Sequence, residues 1–215
     1  MEEMKMLLPL DIQLFGGVLI GLSDINYTKI KPGATDVATA FSNPIQKLAK
    51  AIEAKISPKT SNTVLYADDG AAESAAAEGE TEMEFKIDAL ANSIYADILG
   101  KDTNEDGVII DASGDVAPNI ALAFRSLKSN GKYRYFWYYK GNFQLPEENY
   151  KTKGESVEYN TPSVKGVFVN SDIVKNAKGE GIKRMFVDED DENVKPEVIA
   201  NWFKKVYTGS TTPTP

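Results

Sequence analysis

Two strand-like runs meet at an Asn-Gly pair, and this feature constrains the fold more than any other. Residues 119–127 put Ile120, Leu122 and Phe124 on one face. Ser129-Asn130-Gly131-Lys132 then supplies the pair that a two-residue type I′ turn favours, because both central positions of that turn need positive φ. The run 133–140 is predicted as the return strand, so 118–143 reads as one long antiparallel hairpin. Its second strand sets Tyr133, Tyr135, Trp137 and Tyr139 on one face and Phe136 and Tyr138 on the other. A strand with aromatics on both sides needs cover on both. Three uses fit such a strand. It stacks bases, since Lys132, Arg134 and Lys140 interleave with the rings. It stacks sugars, as in a carbohydrate-binding sandwich. Or it packs, one face in the subunit core and the other against another subunit or sheet. Three bases without a surrounding Gly-aromatic motif favour packing.

Most other signals are also those of strands and turns. Residues 81–87 alternate Met83, Phe85 and Ile87 with Glu82, Glu84 and Lys86, the pattern of a half-buried strand. Further strands are predicted near 157–159, over 163–169 and over 182–187, the last entered through a turn at 178–181. Helices are predicted over 89–99, where Leu90, Ile94 and Ile98 share a face and Gly100 ends it, and over 196–207, which starts at Pro196. Residues 43–56 fit either a helix or a strand. The stretch 70–79 (GAAESAAAEG) is expected to be a mobile loop, and 208–215 (TGSTTPTP) a disordered tail. Residues 1–17 read as a leader or arm, leaving 18–207 as one domain. Several strands, few helices and no βαβ alternation predict a mainly antiparallel sandwich or open barrel.

The chemistry is bounded by two absences. Among 215 residues there is no His and no Cys, which removes disulfide scaffolds, the usual zinc and iron–sulfur sites, and His-dependent nucleophiles. Carboxylate pairs are plentiful, but spacing alone does not place two of them across a cleft. Asp102-Thr103-Asn104-Glu105-Asp106-Gly107 opens like an EF-hand calcium loop, yet its twelfth position is Ser113 rather than Glu, which favours a plain turn over 102–113. The first residues are apolar but lack a basic leader and a span long enough to cross a bilayer, so a soluble protein made in the cytoplasm is expected.

Charge is distributed unevenly. The chain carries 24 basic and 32 acidic residues, a net −8. Fourteen acids and two lysines lie between Asp68 and Asp115, a local −12, while 116–145 holds five bases and no acid. Solvated faces account for this asymmetry, and so does self-association of basic patch on acidic patch. An acidic chain of this kind is unsuited to tight nucleic-acid binding.

Several blocks together resemble a known family. The stretch from Ile56 to Gly70 (ISPKTSNTVLYADDG) is similar to the signature opening of the major tail proteins of long-tailed, siphovirus-type bacteriophages. Ser129 to Tyr135 with Trp137 and Gly141 resembles that family's central hairpin; Tyr150 to Gly154 followed by Thr161-Pro162 resembles its next segment, and Gly21 to Tyr27 its usual start. The resemblance covers roughly 18–170, with the blocks in order. The first 17 residues and 43–51 depart from the pattern.

This likeness implies a tail-tube β-sandwich with a flanking α-helix, a long central hairpin and an extra C-terminal helix. It implies a strand leading into the signature from Lys50, and a non-enzymatic virion protein without cofactors. It further implies six copies closing into rings, rings stacking into a tube that conducts DNA, and contacts with tail terminator, tape measure and distal tail proteins. Assembly in the host cytoplasm follows. The self-assembly candidates are Arg125, Lys132, Arg134, Trp137 and Lys140, facing acids such as Asp68, Asp69, Glu82 and Glu84. The alternative is a carbohydrate-binding module using the aromatic strand 133–139.

Overall fold

The computed structural model describes residues 17–67, 70–146, 152 and 161–209, the side chains of 61–67 and 70–77 excepted. The predicted leader up to residue 16, Asp68, Asp69, the strand at 157–159 and the tail beyond 209 lie outside the described residues. In chain order the elements are β1 (Leu19–Lys29), α1 (Val37–Ala40), β2 (Gln46–Ala49), β3 (Ala51–Ala67), β4 (Gly70–Ile87) and α2 (Asn92–Leu99). There follow β5 (Asp102–Thr103), β6 (Ile109–Ile110), β7 (Ile120–Lys128), β8 (Tyr133–Phe143), β9 (Ser163–Phe168), β10 (Arg184–Asp188) and α3 (Pro196–Asn201).

The architecture is a mainly antiparallel β-sandwich. One hydrogen-bonded path runs β2-β1-β7-β8-β9-β4-β3, with β10 attached to β8. The path doubles over at β8. Residues 134–138 of that strand pair with β10, whereas Gly141–Phe143 pair with β9 and lead into the opposite layer. Phe85 of β4 and Phe124 of β7, far apart along the path, meet across the core with ring centroids 5.9 Å apart. Ile25, Tyr27, Met83, Ile87, Leu122, Tyr138 and Phe168 complete the same buried cluster, and α2 adds Ile98 and Leu99.

The partner change depends on a missing side chain. A Cβ at Gly141 would lie 2.4 Å from the Phe168 ring and 2.6 Å from the Val167 carbonyl oxygen. Only glycine lets β9 come that close.

The long central hairpin is present, but its turn differs from expectation. Lys128 N donates to Lys132 O at 2.7 Å and Gly131 N to Lys128 O at 3.0 Å, enclosing three loop residues rather than two. Gly131 has φ 80° and Asn130 does not have positive φ, so one left-handed residue suffices in place of a type I′ pair. Residues 43–56 resolve as β2 and the start of β3, and 182–187 and 163–169 as β10 and β9 within a residue or two.

Three further expectations are corrected. Residues 70–79 form the first part of β4 rather than a loop, because β3 provides a continuous template from Thr60↔Glu78 to Ala67↔Gly70 that satisfies their backbone groups. The C-terminal helix stops at Asn201 instead of 207: the Trp202 carbonyl, which a longer helix would use internally, accepts the Trp137 indole N–H at 3.0 Å. The helix expected from 89 starts at Asn92 and ends as anticipated on left-handed Gly100, φ 68°.

Gly141→Ala is expected to lower stability by about 1–3 kcal/mol, read from urea unfolding; an unchanged midpoint would contradict the steric account of the layer change.

Candidate functional site

The central hairpin gathers most of the candidate residues, and register decides what each one meets. Antiparallel pairing of β10 with β8 sets Asp188 opposite Arg134. Arg134 Nε and Nη2 donate to the two Asp188 oxygens at 2.5 and 2.6 Å, a bidentate pair. Lys128, with a side chain only 2% exposed, places Nζ 2.5 Å from Asp190 and 3.5 Å from Asp188. Asn130 adds a bond to Asp190 at 2.7 Å, and exposed Lys132 approaches Glu189 at 3.4 Å. The hydrogen bond from Arg134 holds the Asp188 carboxyl below the usual carboxylate range, and that from Lys128 does the same for Asp190.

The other bases are also paired within the chain. Arg125 lies 2.6 Å from Asp24 and its guanidinium sits 4.1 Å from the centre of the Tyr133 ring. Asp24 reaches it from a bulge in β1, where its own φ is 53°. Lys140 binds Asp172 at 2.8 Å. Several acids of 78–115 likewise find bases nearby. Lys59 bridges Glu80 at 2.9 Å and Glu82 at 2.6 Å, and nearly buried Lys183 binds Glu78 at 2.7 Å and the Gly79 carbonyl at 2.6 Å. Lys101 binds Asp111, and Lys29 binds Asp97. Glu84 stands opposite Lys55 on one side and Lys165 on the other. The dipolar charge of the sequence is therefore largely folded upon itself.

Trp137 does not belong to an exposed surface. It is fully buried together with Tyr135, Tyr139, Trp202 and Val206, and the chain's own α3 and the residues after it supply the cover. Tyr139 Oη donates to the Tyr207 carbonyl. The second aromatic face is thus closed within the subunit instead of against another one, and Trp137 offers no ring to a sugar. The 102–113 segment is a small hairpin: β5 pairs with β6, Gly107 takes φ 79°, and Asn104 Oδ1 accepts the Val108 amide at 2.8 Å. Among the described residues no group of three acidic side chains converges as a metal site.

Sequence reasoning missed the partners of the bases. Asp188, Glu189 and Asp190 form an acidic run directly after β10, and pairing that strand with β8 would have placed the run beside Lys128, Lys132 and Arg134. Asp24 left no comparable signal, since its reach depends on the bulge.

One feature stands apart from this self-neutralised body. β9 covers β4 only over residues 81–86, so the β3–β4 ladder from Thr60↔Glu78 to Ala67↔Gly70 extends as a two-stranded arm with no third strand among the described residues. At about 3.3 Å per residue, its eight β3 residues reach about 26 Å. The arm carries the block that resembled the tail-protein signature. A family model for the phage tail tube protein matches residues 51–212. The chain belongs to that family. The tail tube match takes in the arm, both strands of the hairpin and the aromatic seal, and runs further toward the C-terminus than the blocks read from sequence. Comparison with curated proteins returned no match. As a tail tube protein the chain is a structural component of the phage tail, located in the virion and assembling with itself and other tail proteins. The family is not known for enzymatic activity.

Two measurements probe the hairpin. Trp137→Ala is expected to cost about 3–5 kcal/mol of stability by removing the centre of the second core; a variant of wild-type stability would contradict that. Asp188→Asn with Asp190→Asn leaves the Lys128 ammonium buried without a counter-charge, an expected loss of about 3–5 kcal/mol at pH 7. Both carboxyls titrate below their unfolded values, so their contribution is complete above about pH 4 and is lost as pH falls through the folded values. The gap between wild type and double variant in urea unfolding should therefore narrow toward pH 2.

Proposed function

We propose that six copies of this protein close into a ring and that rings stack into the hollow tail tube through which the phage genome passes into the host. The observation that carries this reading is the uncovered β3–β4 arm on a member of the tail tube family. A two-stranded ribbon is marginal on its own in water, so one that extends beyond its sheet calls for a partner surface. The ends of the sheet path support ring closure. β2 and β3 pair on one side only among the described residues, and unprotected edges associate unless something blocks them.

Electrostatics fits the same picture. Internal pairing leaves the excess negative charge of −8 to the surface, and an acidic bore would let a phosphate backbone slide where clustered Lys and Arg would hold it. Lys132, half-exposed and loosely held by Glu189, and Lys140 are the bases of the hairpin best placed to meet acids such as Glu82 and Glu84 of a neighbouring copy. Arg125 and Arg134 act one step back, fixing the hairpin that presents them. Asp68 and Asp69, which follow β3 in the sequence, are the remaining acidic candidates.

Negative-stain microscopy of concentrated protein tests the proposal, with rings and tubes as the expected result. Replacing 61–77 by a short Asn-Gly turn is expected to leave the thermal unfolding midpoint within a few degrees of the parent and to abolish tubes. Tubes of normal length from the shortened chain, or particles that stay single at every concentration, would overturn it.

A further inference from the structure

Beside the central hairpin the sheet has a third open edge. β10 pairs with β8 alone among the described residues. Tyr139 N donates to Lys183 O and Glu189 N to Tyr133 O, so the alternation of the ladder turns the N–H and C=O groups of Arg184, Phe186 and Asp188 away from β8. Their side chains share one face of the strand, opposite Tyr138, Phe136 and Arg134. Phe186, the central residue of β10, is 53% exposed, with the Arg134 and Arg184 guanidinium groups 5.4 and 5.7 Å from its ring centre. On the other face Met185 and Val187 border an apolar groove of about 710 Å³ that continues to Val194, Val198 and Trp202. No proline or central charge guards this edge against a further strand.

The sequence of the edge is complementary to itself. Read antiparallel about Phe186, Arg184-Met185-Phe186-Val187-Asp188 sets Arg184 against Asp188, Met185 against Val187 and Phe186 against Phe186. The phase of the ladder makes the most of that register. Arg184, Phe186 and Asp188 are the residues whose backbone groups point outward, so each both donates and accepts across the axis. No outward group of the strand is left over.

We propose that β10 is a self-docking edge, through which two free copies of the protein join antiparallel about a two-fold axis at Phe186. The two Phe186 rings then form a directly opposed cross-strand pair. Arg184 of each copy reaches Asp188 of the other. Asp188 already holds Arg134 with both oxygens, and its carboxylate keeps lone pairs for a second guanidinium. Met185 and Val187 of the two copies meet at the mouth of the groove. A five-residue edge makes a small contact, of the size at which encounters are transient, so the dilute protein is single and the dimer forms as concentration rises. Subunits of a cyclic ring are related by rotation about one axis and not by a dyad across it, so the contact belongs to free subunits. It stands whether or not tubes form.

Thiol cross-linking of the full chain tests this, because the chain has no cysteine of its own. Phe186→Cys treated with a short bismaleimide is expected to give covalent dimer, since a dyad brings a residue against its own counterpart. Lys132→Cys, on the hairpin turn away from the axis, gives the collision background. Adding Arg184→Glu sets an acid against Asp188 on both sides of the axis and is expected to lower the yield about tenfold. Met185→Cys with Val187→Cys keeps the Phe186 ring and is expected to give disulfide-linked dimer on oxidation, these being the closely spaced, non-hydrogen-bonded pairs of the proposed ladder. Yields at the Lys132→Cys level from both thiol variants would overturn the proposal, and so would a yield that Arg184→Glu leaves unchanged.

Discussion

The fold is organised by the need to dry both faces of β8. Phe136 and Tyr138 turn inward to stack with Phe124, Tyr138 also meeting Phe168 edge-on, while Tyr135, Trp137 and Tyr139 turn outward. The outward face alone would be an apolar patch of several large rings, which water does not tolerate on a free monomer. The C-terminal residues answer that need. Trp202 and Tyr207 stack at 5.2 Å, and reciprocal indole bonds join Trp137 to the Trp202 carbonyl and Trp202 to the Phe136 carbonyl. The helix gives up its last turns to make these contacts, so the local structure of 196–207 is subordinate to the packing of a strand more than fifty residues earlier.

The same strand also sets the charge pattern. Because β10 lies against β8 in a fixed register, the acidic residues that follow it arrive at the bases of the hairpin turn. An ammonium as buried as that of Lys128 is stable only when its counter-charges are held in place; the ladder holds Asp188, and Asn130 holds Asp190 in the turn that follows. Surface asymmetry that looks in the sequence like a device for joining copies is thus first a device for closing one copy. What the body does not neutralise or cover is an arm two strands wide, the outer edges of β2, β3 and β10, and a surplus of negative charge.

Much of this was legible before the structure. Strict alternation over 81–87 located one core strand with its buried face, since period two has one solution when one face is dry; over 119–127 it located Ile120, Leu122 and Phe124 but not the second buried face, that of Ala121 and Ala123. The Asn-Gly pair located the hairpin, though not the loop length, since the Lys128–Lys132 bond encloses three residues with only Gly131 left-handed. Gly100 marked a helix end because left-handed backbone is open to few other residues. The arm was illegible for a related reason. Ala, Gly and Glu at 70–79 have little strand preference of their own, and their conformation is dictated by a partner strand whose Thr, Val and Tyr residues are strong strand formers. Propensity read segment by segment cannot report a structure that only the pair possesses.

This division has a consequence for how such a protein can remain single until it assembles. Much of the body is satisfied internally: the outward aromatics of β8 are roofed by the C-terminal residues, and the bases of the hairpin hold acids of the same chain. In the proposed assembly, association would depend on backbone edges and on the arm, whose pairing is directional and demands a matching register. Main-chain pairing at an edge gains little until several strands align, so isolated encounters dissociate while a closed ring, in which every edge is occupied, does not. A chain built this way favours one geometry of assembly over aggregation, which is the property a repeating structural subunit requires.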